Sequence, residues 1–276
     1  MQLLVTTDGS ERSFRVFPHA ARFAKATGAS VTLARALDPL IDCGGELAVK
    51  LDAAIERVSN RWREELAAAA AARGLEAEVA IWTHVHGEDT AGCLERMIAG
   101  HGFDILAMET RGAGAVRHAL FGSVAMRVLG HAKLPVMVTG PEATSPPTGD
   151  GYNVLATTDL SAGAGAVFPL LKDLAARPGL AVTLAHVAAT GEAADARAAL
   201  ERVRDGLAAP VAIEVREVPP GAGIDTAIIA EAATIGASLI VMATHGHSAL
   251  RHLVAGSVAL GVVSRAPVPV LLVPVK

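Results

Sequence analysis

Aromatic residues make up only 3% of this chain against 51% hydrophobic residues overall, so its cores must be built from Ala, Val and Leu rather than from rings. Two cysteines are present, Cys43 and Cys93, at no paired spacing. That excludes a disulfide framework and favours a cytoplasmic setting. No basic run accompanies the net charge of −4, which speaks against a nucleic-acid partner. No apolar run is long enough to span a bilayer, so no membrane role is expected. Met1-Gln2-Leu3-Leu4-Val5 enters a strand pattern directly, without the charged segment and cleavage site of a signal peptide.

What the chain does have is internal repetition, the first thing to test in a sequence of this length. Thr6-Thr7-Asp8, Val16-Phe17-Pro18 and Val31-Thr32-Leu33-Ala34 recur as Thr157-Thr158-Asp159, Val167-Phe168-Pro169 and Val182-Thr183-Leu184-Ala185, all offset by 151. Met108, Gly112, Arg117-His118, Gly122-Ser123-Val124 and Pro135-Val136 recur as Met242, Gly246, Arg251-His252, Gly256-Ser257-Val258 and Pro269-Val270, offset by 134. The second copy is therefore 17 residues shorter between its first strands and its glycine cluster. Nine residues separate Gly112 from Gly122, and nine separate Gly246 from Gly256. The Pro-, Gly- and Thr-rich stretch 139–151 reads as a linker. Domains are expected at 1–141 and 152–276.

Each half alternates strand and helix patterns. In the first, strands at 3–6, 30–36, 76–82, 104–108 and 136–139 are separated by helices at 11–26, 47–73, 90–99 and 123–130. On the long helix, Ile55, Val58, Trp62 and Leu66 recur at spacings of three and four. In the second, strands at 153–157, 181–186, 212–218, 238–242 and 268–273 alternate with helices at 167–176, 193–207, 226–234 and 257–264. Near-continuous apolar strands between helices imply an α/β fold with a parallel sheet covered on both faces. Five strands per half fit two doubly wound sheets of order 3-2-1-4-5. The ligand crevice then lies outside the carboxyl ends of strands 1 and 4. Asp8 and Asp159 fall just after strand 1, and the glycine clusters just after strand 4, so motifs distant in sequence share one cleft. Glycines let backbone N–H groups approach an anion, and a helix N-terminus opening at Ser123 or Ser257 favours it.

Strand-end Thr-Thr-Asp, with a Gly-x9-Gly-Ser-Val loop after strand 4, resembles the universal stress protein family, in both halves. Asp8-Gly9-Ser10, Asp104-Ile105-Leu106, Ser238-Leu239-Ile240 and the two Pro-Val pairs extend the resemblance. It implies an adenine nucleotide hydrolase-like fold, arranged as a tandem pseudo-dimer, with ATP or AMP as ligand, with or without Mg²⁺. It further implies that the aspartate after strand 1 lies near adenine and that a residue after strand 2 lines the adenine pocket. Those residues are Asp8 with Leu37, and Asp159 with Val187. The family motif Gly-x2-Gly-x9-Gly-Ser/Thr has its first glycine three residues before Gly112 and Gly246. Here those positions hold Glu109 and Ala243. Alanine adds a methyl group, whereas glutamate sets a carboxylate beside a polyphosphate and repels it. The preferred nucleotide site is therefore the second, from Thr157, Thr158, Asp159, Val187, Met242, Ala243, Gly246, His247, Gly256, Ser257 and Val258. The doubtful one comprises Thr6, Thr7, Asp8, Leu37, Met108, Gly112, Gly122, Ser123 and Val124.

Other chemistry has less support. His245 with His247, and His84 with His86, are paired imidazoles with no third ligand at recognisable spacing, so no metal site is expected. Arg117-His118 and Arg251-His252 divide evenly between phosphate contact and solvent. No Gly-x4-Gly-Lys-Ser/Thr run and no Gly-x-Ser-x-Gly elbow occurs. No general base is placed to activate water, so the site reads as one that holds a nucleotide rather than consuming it. The expected function is a nucleotide-binding stress-response sensor or regulator with an unknown protein partner. A nucleotide-free interaction module and, more weakly, a slow ATPase are the alternatives. The last strands, 136–139 and 268–273, are expected as sheet edges. The resemblance implies that they pair the two halves, or two chains as a homodimer.

Overall fold

A computed structural model describes residues 1–44, 50–85, 87–112, 120–144, 146, 149, 151–219, 221, 223–245 and 255–275. Gly246, His247, His86 and the Arg-His pairs at 117–118 and 251–252 lie outside the described residues. The chain divides into two compact units, 1–132 and 133–276.

The first unit runs β1 (Gln2–Thr6), α1 (Val16–Thr27), β2 (Ser30–Leu37), the short α2 (Pro39–Asp42), α3 (Leu51–Ala71), β3 (Glu78–Thr83), α4 (Thr90–His101), β4 (Ile105–Glu109) and α5 (Ser123–His131). Its strands are all parallel, in the order β3-β2-β1-β4. Leu3, Leu4, Leu106 and Ala107, on the two central strands, are fully buried, as expected where helices cover both faces of a parallel sheet. Helix ends follow local chemistry. Gly28 and Gly102 close α1 and α4 in the left-handed conformation, at φ 64° and 65°. Asp89 opens α4 by accepting from the Gly92 N–H at 2.9 Å.

The second unit begins with β5 (Val136–Thr139). It continues through β6 (Tyr152–Thr157), α6 (Phe168–Ala175), β7 (Leu180–Ala189), α7 (Ala193–Leu207), β8 (Val211–Val218), α8 (Ile224–Thr234), β9 (Leu239–Ala243), α9 (Ser257–Arg265) and β10 (Val270–Val273). Strand order is β5-β10-β9-β6-β7-β8. From the far end, its own five strands read 3-2-1-4-5, as expected. Pro18 and Pro169 both fall in the first turn of their helices, where a missing N–H breaks no hydrogen bond.

The last strands of the two halves meet each other, as the resemblance implied. β5 pairs antiparallel with β10, through Val136–Leu272, Met137–Leu271 and Val138–Val270. β10 also pairs with β9, so both of its sides are occupied within the chain. The backbone groups of an edge seek partners, and here they find one in the same chain. That leaves β10 no free edge for a homodimer, and β5 stands as the antiparallel neighbour of a five-stranded parallel set. After β5 the chain stays packed on this unit. The Thr144 N–H donates to the Pro267 carbonyl at 3.0 Å, and Gly140 lies so near the Val263 carbonyl that no side chain fits.

Cys43 and Cys93 are buried and form no disulfide. Burial pushes the Cys93 thiol up to about 11, so it stays protonated. Among the described residues, no helix is long and apolar enough to cross a membrane.

Candidate functional site

Each unit carries a cavity where strand order reverses. The first is about 430 Å³ and the second about 320 Å³. Both are sizes that hold small organic ligands rather than bare ions.

The same backbone devices build both. After β1, the Asp8 carboxylate accepts from the Ser10 N–H at 2.9 Å and the Ser10 hydroxyl at 2.6 Å. After β6, Asp159 accepts from the Ser161 N–H at 3.0 Å and its hydroxyl at 2.6 Å. These bonds fold the strand end into a tight turn and hold the aspartate at the cavity rim. Across the cavity, the Gly122 N–H donates to the Thr110 carbonyl at 2.8 Å, and the Gly256 N–H to the Thr244 carbonyl at 2.7 Å. Each glycine loop is thereby tied back to the end of its strand. Neither α5 nor α9 has a side-chain cap at its N-terminus. Their first-turn amides lack intrahelical acceptors, the arrangement that binds anions. Gly112 stands so close to Asp8 Oδ2 that a Cβ would collide with it, so the two distant motifs meet in the first cavity.

Thr6, Thr7, Asp8, Met108, Gly112, Gly122, Ser123 and Val124 all line the first cavity. Thr157, Thr158, Asp159, Val187, Met242, Ala243, Gly256, Ser257 and Val258 all line the second. Leu37 does not join its set. It is fully buried and packs with Cys43, Ala54 and Trp62, while Ala36 takes the lining position. Successive strand side chains point to opposite faces, so a shift of one residue reverses the assignment.

Arg35, Trp62 and His186 are among the lining residues that escaped the sequence reading. Arg35 lies flat over Trp62, its guanidinium carbon 3.3 Å from the ring centroid. Burial lowers its pKa, opposed by Asp42, Asp8 and Glu65. Trp62 was legible only as part of a helix face. In the second cavity the His186 Nδ1–H donates to the Thr158 carbonyl at 2.8 Å. Arg35 and His186 are related by the same offset of 151 as the Thr-Thr-Asp motifs, and that was the available signal.

The cavities part at the residue ending strand 4. Glu109 is buried, its side chain 2% exposed. Its Oε1 lies 3.7 Å from the Arg15 guanidinium, while Oε2 is buried with no hydrogen-bond partner among the described residues. Burial pushes its pKa up to about 7, against the pull of Arg15, Arg12 and Arg111. The hydroxyl of neighbouring Thr110 is also buried without a partner. In the second unit Ala243 brings no charge, and the Thr244 hydroxyl is satisfied by His245 at 3.2 Å and the Val275 N–H at 3.4 Å. Among the described residues, no three His, Cys, Asp or Glu side chains are grouped to hold a metal ion.

Fold and site together define a tandem α/β protein, each half presenting a cavity between a Thr-Thr-Asp turn and a glycine-opened helix. The family model described as Universal stress protein family matches residues 1–140 and again 152–274. A universal stress protein of Thermus aquaticus, described by its position in the QAH/OAS sulfhydrylase 3′ region, is 31% identical over 136 residues. That match covers 49% of this chain and 96% of the relative. A universal stress protein from Archaeoglobus fulgidus has a similar structure, with a TM-score of 0.68 at 25% identity, covering 100% of this chain and 96% of that one. A functionally unknown protein from Pseudomonas aeruginosa shares the fold, at a TM-score of 0.61 and 17% identity, covering 99% and 92%. This chain belongs to the universal stress protein family, and it carries the family's domain twice.

Proposed function

We propose that the second cavity binds an adenine nucleotide, ATP or AMP, with or without Mg²⁺, and that the chain acts in the cytoplasm as a nucleotide-dependent regulator in stress response. The observation that carries this reading is the anion cradle at the start of α9. The uncapped first-turn amides and Ser257 line the cavity, with uncharged Ala243 where the first half has Glu109. The positive end of the helix favours phosphate there. Asp159 and Val187, across the cavity, take the adenine side. Bound nucleotide shifts the population of a surface that a protein partner reads. The domains are taken as 1–141 and 152–276, and β5 with β10 as the seam of an intra-chain pseudo-dimer.

Nucleotide released from the denatured protein and separated by chromatography identifies the ligand. Titration calorimetry with ATP is expected to show dominant binding at the second cavity, abolished by Gly256→Glu. Equal occupancy of both cavities, or of the first alone, overturns the reading. No nucleotide released and no thermal shift with ATP would point instead to an interaction module without ligand. Mg²⁺-dependent phosphate release above that of the Gly256→Glu chain would point to a hydrolase.

A further inference from the structure

The first cavity is the larger of the two and lies at the equivalent place, yet its lining carries more charged groups. Asp8, Asp38, Asp42 and Glu109 line it, against Arg35 and Arg111. The second is lined by one carboxylate, Asp159, with His186 and His245. Among the first four carboxylates Glu109 stands apart. It is buried, it ends β4 at the cavity wall, and its Oε2 has no donor among the described residues. A buried acceptor with no partner costs roughly 1–3 kcal/mol, more when charged, so such an atom at a cavity wall implies a donor brought by a ligand. The Thr110 hydroxyl beside it lines the same cavity and is also without a partner.

An ionised phosphate brings negative charge and acceptor oxygens, whereas Glu109 Oε2 lacks a donor. A ribose offers adjacent hydroxyls, and a carboxylate beyond a parallel strand is a known receiver for them. We infer that the first cavity takes a nucleoside without phosphate, its ribose hydroxyls donating to Glu109. The choice of adenosine as base rests on the nucleotide reading of the second cavity, whereas the requirement for a donor and the exclusion of phosphate rest on Glu109 alone. The two halves thus divide one ligand class, the second accepting the phosphorylated form and the first the dephosphorylated one.

The test uses the full chain carrying Ser257→Glu, which closes the second cavity to anions, titrated with adenosine and with ATP. Adenosine is expected to bind one-to-one and ATP at least roughly tenfold more weakly, the range set by a hydrogen bond to a charged group. Glu109→Gly in that background is expected to weaken adenosine by roughly tenfold and to erase the preference over ATP. Glu109→Gln, which keeps the side chain's size, is expected to narrow the preference in a chain that melts no lower than its parent. Three results would overturn the inference. These are ATP binding as tightly as adenosine before Glu109 is changed, no adenosine binding at all, and a preference that neither Glu109 variant moves. Failure of the unsubstituted chain to bind ATP would overturn the nucleotide reading of the second cavity and leave this result standing.

Discussion

The two halves repeat a backbone and diverge in what they place upon it, and the divergence is paired. After β1 the chain turns through a left-handed residue, Gly9 at φ 83°, and the equivalent turn after β6 uses Leu160 at φ 62°. Each turn residue donates its N–H at 3.0 Å to the preceding threonine hydroxyl, Thr7 or Thr158. Leucine is unusual there because its Cβ crowds the following carbonyl. The reason only one half tolerates it lies on the neighbouring strand. A Cβ on Gly9 would run into the Arg35 guanidinium, held in place over Trp62. The second half has His186 where the first has Arg35, and the histidine turns to the Thr158 carbonyl instead. Glycine and arginine in one half, leucine and histidine in the other, are two solutions to one packing problem. Glu109 against Ala243 is a separate divergence with a chemical consequence.

The largest test of that contrast moves the carboxylate across. Ala243→Glu is expected to weaken ATP binding to the chain by at least roughly 100-fold. A carboxylate buried beside phosphate without a counter-charge costs about 3 kcal/mol or more. Calorimetry reads this directly, and retention of affinity within a few fold would show that position 243 does not approach the phosphates.

The next effect is one of stability against pH. Glu109 has its pKa raised from 4.5 to about 7 by burial, so folding favours its protonated form. The stability of the protonated state is fully present below pH 4.5 and is lost as pH rises through about 7. Glu109→Gln, which cannot ionise, is therefore expected to raise the melting temperature at pH 8 relative to the parent, with little change at pH 5. The difference amounts to at most about 3 kcal/mol, from 1.36 kcal/mol per unit of pKa. An equal shift at both pH values would show that Glu109 does not titrate in this range. Ala243, at the equivalent place, gives the second half no such dependence.

Much of this contrast could be read from sequence, and what could not has a physical reason. The offsets of 151 and 134 located both cavities, because topology fixes where the ends of strands 1 and 4 lie regardless of side chains. The charge asymmetry at 109 and 243 was equally visible. Leu37 was misplaced because a strand's facing changes with every residue, and no pattern marks the last residue of a strand as inward or outward. Arg35 was missed because an arginine lying on a tryptophan 27 residues away is a tertiary contact with no periodic trace. The pairing of β5 with β10 was implied by the family resemblance, while the apolar pattern alone left open whether the partner was in the same chain. Edge strands carry the same apolar pattern whether they meet a neighbour in their own chain or in another.

A smaller effect tests whether the turn and the arginine are truly coupled. Gly9→Leu is expected to cost about 2 kcal/mol by denaturant unfolding, combining backbone strain of roughly 1–2 kcal/mol with displacement of Arg35. In an Arg35→His background the same change is expected to cost at least about 0.5 kcal/mol less, since the collision is gone and the strain remains. Strict additivity of the two substitutions would mean that Arg35 moves aside freely and that the pairing with Gly9 is accidental.

The smallest effect separates the halves at the helix that follows the third strand. Asp89 caps α4 and also meets Arg127 of α5 at 2.7 Å, so one carboxylate serves both a helix terminus and a bridge between helices. In the second half these duties are split. Gly223 opens α8 without a side-chain cap, and Asp225, within the first turn, carries the bridge to Arg265 of α9. Asp89→Ala should therefore remove a cap, worth about 1 kcal/mol, plus a solvent-screened ion pair of smaller value. Asp225→Ala should remove the bridge and a local bond from the Thr226 N–H, but no N-cap. The ordering is what matters. If Asp225→Ala destabilises the protein more than Asp89→Ala in 0.15 M salt, the bridge outweighs the cap. The loss of a capping residue in the second half would then have been offset by a stronger contact between α8 and α9, two of the helices that wall its cavity.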